Sequence, residues 1–139
     1  MKNKIALDHI GVAVESLEKG KSFYEALGLG PMTVENVPTE RVKVGFFGLE
    51  NGPRIELLEA TSEDSPIAKF LSKRGPGIHH ICLRVSDIRA VMRTLKDSGV
   101  QLIDQEPKPG AHNCMVAFIH PKSTGGVLIE LSQPQGAKT

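Results

Sequence analysis

GIHHICLRV, residues 77–85, sets two histidines side by side in an otherwise apolar stretch. As a β-strand, this stretch turns neighbouring side chains to opposite faces of a sheet, so at most one of His79 and His80 faces an interior site. The rest of the chain decides which, because it repeats itself. DHIGVAVESLEKGKSFYEALGL, from Asp8, matches HHICLRVSDIRAVMRTLKDSGV, from His79, with a constant offset of 71 residues. His9 falls on His80, Ile10 on Ile81, Val14 on Val85, Leu17 on Ile88 and Gly28 on Gly99. Each copy starts as an apolar strand, passes Ser, Asp or Glu residues suited to a helix start, and runs with helical spacing to a glycine. His80 is therefore the partner of His9, and His79 is the partner of Asp8. Period two turns the histidine pair one way and the Asp8/His79 pair the other.

The similarity continues downstream. VKVGFFGLENGPRIELLEA, from Val42, and CMVAFIHPKSTGGVLIELSQ, from Cys114, each read as two strands around a turn rich in small and turn-forming residues. This alignment sets Glu130 74 residues after Glu56. Each half thus predicts a βαβββ unit, over about residues 5–60 and 77–133, in an α+β fold. SEDSPIAKFLSKRG lies between them and predicts a connector helix over about residues 65–74. Ser65 is its cap, Pro66 its first turn, and Ile67, Phe70 and Leu71 its apolar stripe. No low-complexity linker separates the halves, so a single domain over residues 1–139 is expected.

The bulk properties exclude several classes. At 139 residues and 40% hydrophobic content, the chain suffices for one sizeable core but not for two full domains. The 17 Lys and Arg residues are scattered, the net charge is +1, and no basic run interleaved with aromatics occurs, which argues against nucleic acid or an anionic membrane as partner. The first residues are basic, but Asp8, His9 and Glu15 interrupt them before a secretory apolar core forms, and no stretch is long enough to cross a bilayer. Cys82 and Cys114 show neither a CxxC spacing nor a disulfide pattern, so reduced thiols and a cytoplasmic location are expected.

Four polar residues remain inside apolar strands: His9, Glu56, His80 and Glu130. A buried carboxylate is costly unless paired or bound to a cation. Two imidazoles and two carboxylates without a thiolate suit a divalent Mn, Fe, Co, Ni or Zn ion with positions left open for water or substrate. Taken singly, each residue is more simply a satisfied core group; recurrence at matched positions in both halves favours a shared ion. His112 and His120 fall outside the repeat in Gly/Pro-rich segments, and His79 is expected beside the site or in solvent.

The repeated halves with their His…Glu…His…Glu set resemble the vicinal oxygen chelate superfamily. Within it the resemblance is to the methylmalonyl-CoA epimerase family, carried by DHIGVAV, DSPIAKFL, GIHHICLRVSDI and above all HPKSTGGVLIEL at residues 120–131. It implies modules packed edge to edge into a curved, incompletely closed sheet around the metal, and a homodimer. It also implies metal ligands at His9, Glu56, His80 and Glu130, with Glu130 in proton transfer as well. Some members carry a further Glu where this chain has Val44, which leaves a metal-bound water, His79 or Glu40 as candidates for the second acid/base group. The implied substrate is a small acyl-CoA, methylmalonyl-CoA, epimerised at C2 through a metal-stabilised enolate. The segment 110–126, with His120 and Lys122, is the candidate substrate-binding loop. Rival readings are a glyoxalase I-type lactoylglutathione lyase, an extradiol dioxygenase, which a carboxylate at Glu56 disfavours, and a non-catalytic binding protein of the same fold, which has no need of all four ligands.

Overall fold

The computed structural model describes residues 3–135. It divides into two compact units, one from His9 to His79 and the other combining the residues up to Asp8 with those from His80 onward. The chain runs β1 (Ile5–Ala13), α1 (Leu17–Leu27), β2 (Thr33–Val37), β3 (Val42–Gly48), β4 (Arg54–Ala60), α2 (Pro66–Arg74), β5 (Gly77–Val85), α3 (Ile88–Asp97), β6 (Lys108–Pro109), β7 (Cys114–Ile119) and β8 (Ile129–Pro134). The expected α+β fold of two βαβββ modules is present, and the connector helix falls where Ser65 and Pro66 predict it.

In the first unit the strand order is β2-β3-β4-β1, with β1 parallel to β4 and the other pairs antiparallel. In the second, β5-β8-β7-β6 repeats that arrangement, with β5 parallel to β8. The short edge strand β6 is not apparent from the sequence, because two residues ending in a proline carry no periodic signal.

The helix starts repeat as well. The Ser16 side chain caps α1 by accepting from the Lys19 N–H, and the Asp87 side chain caps α3 by accepting from Ala90. At the next residue of each helix, Leu17 N–H donates to Glu59 Oε1 at 2.7 Å and Ile88 N–H donates to Gln133 Oε1 at 2.8 Å. Glu59 and Gln133 occupy matching places in the two modules, so each helix is anchored to its last strand by the same bond. Gly28 ends α1 in the left-handed region at φ 109°, which a Cβ would strain. Ser65, fully buried, caps α2 by accepting from Ile67 N–H at 3.1 Å. Just before it, the Ser62 hydroxyl, 2.5 Å away, and Arg41, 3.4 Å away, hold the Asp64 carboxyl below the usual carboxylate range. That lowered value means the contact is intact at neutral pH and lost only as acid protonates Asp64; on an exposed residue its effect is small.

Each module packs a helix against one face of its strands. Val14, Leu17, Phe47 and Leu57 form the first core, and Gly20 lets α1 approach closely, since a Cβ there would lie 2.8 Å from Val14 Cγ1. The second core gathers Val85, Ile88, Met92, Leu102, Ala117, Ile119 and Leu131. Leu57 has no exposed surface. Leu57→Ala is therefore expected to cost about 2–5 kcal/mol, read as a lowered urea midpoint with the m-value unchanged.

Candidate functional site

With the helices covering one face, the opposite face of each module carries the four polar residues. Register in the first unit sets Gly11 opposite Glu56 and Phe46 opposite Glu56, so His9, Phe46, Arg54 and Glu56 share that face. In the second unit Cys82 and Phe118 lie opposite Glu130, so His80, Cys82, Phe118, Glu130 and Ser132 share the corresponding face. His9 (5% exposed), Glu56 (2%), His80 (5%) and Glu130 (8%) are all buried.

Each unit brings together its own histidine and carboxylate. His9 Nε2 lies 3.3 Å from Glu56 Oε1, and His80 Nε2 lies 3.0 Å from Glu130 Oε1. Two ligands about 2.1 Å from a divalent ion and at right angles to each other stand about 3.0 Å apart. Both pairs therefore have the spacing of neighbouring metal ligands, with nitrogen and oxygen donors turned toward one another. Ser132, 2% exposed and two residues beyond Glu130 on the same face, has a buried hydroxyl with no hydrogen-bond partner among the described residues. A buried, unanswered hydroxyl is unusual, and it marks this face as one prepared for a polar ligand.

The aromatic and cationic surroundings also repeat. Phe46 and Phe118 occupy matching positions across from the two glutamates; Arg54 lies over the Phe46 ring at 5.9 Å and Lys108 over the Phe118 ring at 5.5 Å. His80 meets Phe118 edge to face at 5.8 Å. Arg54 Nε also reaches Glu56 Oε2 at 3.0 Å. The repeat alignment held the signal for the two phenylalanines. Arg54 had none, since Leu128 occupies its matching position.

The opening pair of histidines divides as period two requires. His80 stands with Glu130; His79 is half-buried and packs edge to face on Phe70 of α2 at 5.0 Å. Asp8, the repeat partner of His79, is buried rather than solvated, and Arg84 Nη1 answers it at 3.2 Å. Val44 is a buried apolar residue at 3% exposure, with no group to move a proton. Glu40 ends the short 3-10 turn Pro38–Glu40. His120 accepts the Lys122 N–H on its Nδ1 and so caps the turn Pro121–Ser123, with Lys122 exposed beside it.

Residues 8–118 match the family model described as the glyoxalase/bleomycin resistance protein/dioxygenase superfamily. The chain belongs to that superfamily. The human protein named methylmalonyl-CoA epimerase, mitochondrial, is 44% identical to it over 130 residues, 91% of this chain and 73% of the human one. A Cereibacter sphaeroides protein named ethylmalonyl-CoA/methylmalonyl-CoA epimerase is 43% identical over 130 residues, 91% of this chain and 96% of its own. Among solved structures, a variant of Streptomyces coelicolor methylmalonyl-CoA epimerase in complex with 2-nitronate-propionyl-CoA superposes with a TM-score of 0.86 at 33% identity, covering 94% of this chain and 97% of that one. Among the described residues no helix is long and apolar enough to cross a membrane.

Proposed function

We propose that the protein is a methylmalonyl-CoA epimerase, interconverting the (2R) and (2S) thioesters by removing the C2 proton on one face and returning it on the other. The observation that carries this reading is the duplicated, buried His–Glu pair, with donors 3.3 and 3.0 Å apart in the two modules. Relatives more than 40% identical and named for that activity support it. In this proposal the two modules act as one domain, and His9, Glu56, His80 and Glu130 hold one divalent ion, Mn, Fe, Co, Ni or Zn. An ion held by these residues would supply Lewis acidity toward the thioester and carboxylate oxygens of the substrate.

The chain's own groups do the rest. Glu130 exchanges the proton at C2, its imidazole neighbour holding the carboxylate in place. Burial of the four donors excludes water from the carbanion side and strengthens each electrostatic contact. The second face of C2 needs another proton carrier; Val44 is excluded by its chemistry and His79 by its place against Phe70 on the opposite face of β5, which leaves Glu40 as the titratable side-chain candidate. His120 and Lys122 are assigned to the acyl-CoA, with the Lys122 ammonium suited to its phosphates. A cytoplasmic homodimer belongs to the same reading.

The test is exchange at C2. Purified protein loaded with Co(II) is incubated with (2S)-methylmalonyl-CoA in deuterated water. Deuterium at C2 together with appearance of the (2R) form is expected. No exchange, with turnover of the methylglyoxal–glutathione hemithioacetal instead, would replace the epimerase with a glyoxalase I-type lyase.

A further inference from the structure

Among the described residues, only Arg41, His112 and Asn113 combine a side chain with a left-handed backbone, and two of these are consecutive. They lie in the turn Ala111–Asn113 that leads into β7, where His112 has φ 60° and ψ 30° and Asn113 has φ 54°. Glycine adopts such a backbone freely, and a Cβ strains it. The turn is pinned at both ends. Gly110 N–H donates to the Cys114 carbonyl at 2.9 Å, Gln135 N–H donates to the Asn113 carbonyl at 3.0 Å, and Asn113 Nδ2 donates to the Gln135 carbonyl at 3.4 Å. Strain held this firmly clusters where a side chain is needed in a fixed place.

The turn lies over the face of the second unit that carries His80 and Glu130. Val116, opposite Ser132 in register, and Cys114, opposite Pro134, belong to that face together with Phe118 and Glu130. A Cβ on Gly110 would lie 2.8 Å from Val116 Cγ1, and Cys114 Sγ donates to the His112 carbonyl at 3.5 Å. Two side chains of this face thus touch the turn, and His112 is half-buried there. Ser132, beside Val116, adds the buried hydroxyl that no described residue answers. Donors gathered on one patch suit a ligand that brings oxygen acceptors. The hairpin between β2 and β3 repeats the pattern in the first unit: Glu40, read above as a proton carrier, directly precedes the left-handed Arg41.

We propose that His112 is a substrate-binding residue whose imidazole N–H donates to the free carboxylate of the acyl group. The inference rests on the epimerase reading above. Of the acceptors on a methylmalonyl thioester the carboxylate is the strongest, since hydrogen bonds to ionised oxygens are about twice as strong as those to neutral ones. It is also the group that separates this substrate from an ordinary acyl-CoA. A ring carried on a pinned turn has less freedom to lose when the carboxylate arrives, so more of the bond appears as affinity.

Titration calorimetry with racemic methylmalonyl-CoA and with propionyl-CoA, which differs only in lacking the carboxylate, reads this contact in Mn(II)-loaded protein. His112→Gly and His112→Ala are each expected to weaken methylmalonyl-CoA about tenfold or more and to leave propionyl-CoA within about twofold. Glycine accepts the left-handed backbone and alanine does not, so the urea midpoint of His112→Gly should stand above that of His112→Ala. Unchanged methylmalonyl-CoA affinity in the two folded variants overturns the inference and leaves the epimerase reading standing. Equal weakening of both thioesters also overturns it, because the ring would then not read the carboxylate. So does weakening in His112→Gly alone, which would trace to a loosened turn. A wild-type protein that binds neither thioester overturns the epimerase reading itself.

Discussion

Glu130→Gln is expected to slow deuterium incorporation at C2 of methylmalonyl-CoA by about 10²–10⁴-fold, the range lost when a positioned acid/base is removed. The substitution is nearly isosteric and keeps a carbonyl oxygen toward His80, now 3.0 Å away. It removes the ability to accept and release a proton near neutral pH, together with the negative charge and one acceptor oxygen. Assays at saturating Mn(II) separate this from lost occupancy of the ion site. Glu56→Gln is the matched control: the same change at the corresponding strand position, on a residue read as a fixed ligand, should cost far less. If the two substitutions slow exchange equally, or if Glu130→Gln stays within about tenfold of wild type, Glu130 does not carry the proton.

His80→Ala should weaken binding of Mn(II) or Co(II) by about 10²-fold or more, measured by titration calorimetry. Structural zinc sites of four ligands reach about 10–16 kcal/mol, roughly 3 kcal/mol per ligand, which sets the scale for loss of one imidazole. His79→Ala, one residue away, should leave metal affinity unchanged. Its ring touches Phe70 at 5.0 Å, and loss of that edge contact is expected to cost about 0.5–1.5 kcal/mol in unfolding free energy. Similar metal affinities for the two variants would break the link between strand alternation and ligand choice.

Much of this was legible beforehand for one reason: repetition over half the chain turns a single sequence into two aligned ones. A lone buried histidine carries little information, but His9 and His80 in matched strands, each followed by a glutamate in a matched strand, identified the pairs that the structure brings to within 3.3 and 3.0 Å. The helices were readable from Ser16, Ser65 and Asp87 as caps and from the spacing of their apolar residues. The wall around the pairs was harder to read. Phe46 and Phe118 lie across from the glutamates because of antiparallel register, which depends on turn length and strand pairing. The Arg54–Glu56 contact joins side chains two residues apart on one strand, and Leu128 stands at the position matching Arg54 in the second module.

The division is a physical one. Hydrophobic period, helix caps and the repeat are local or self-comparing properties, so the residues alone determine two βαβββ modules and choose His80 over His79. Tertiary structure decided what answers each buried charge. Asp8 is buried against Arg84 at 3.2 Å, a partner that the repeat does not indicate, while Glu56 engages both His9 and Arg54. Charges are answered by whichever side chain reaches them in three dimensions, and that reach is set by register and packing.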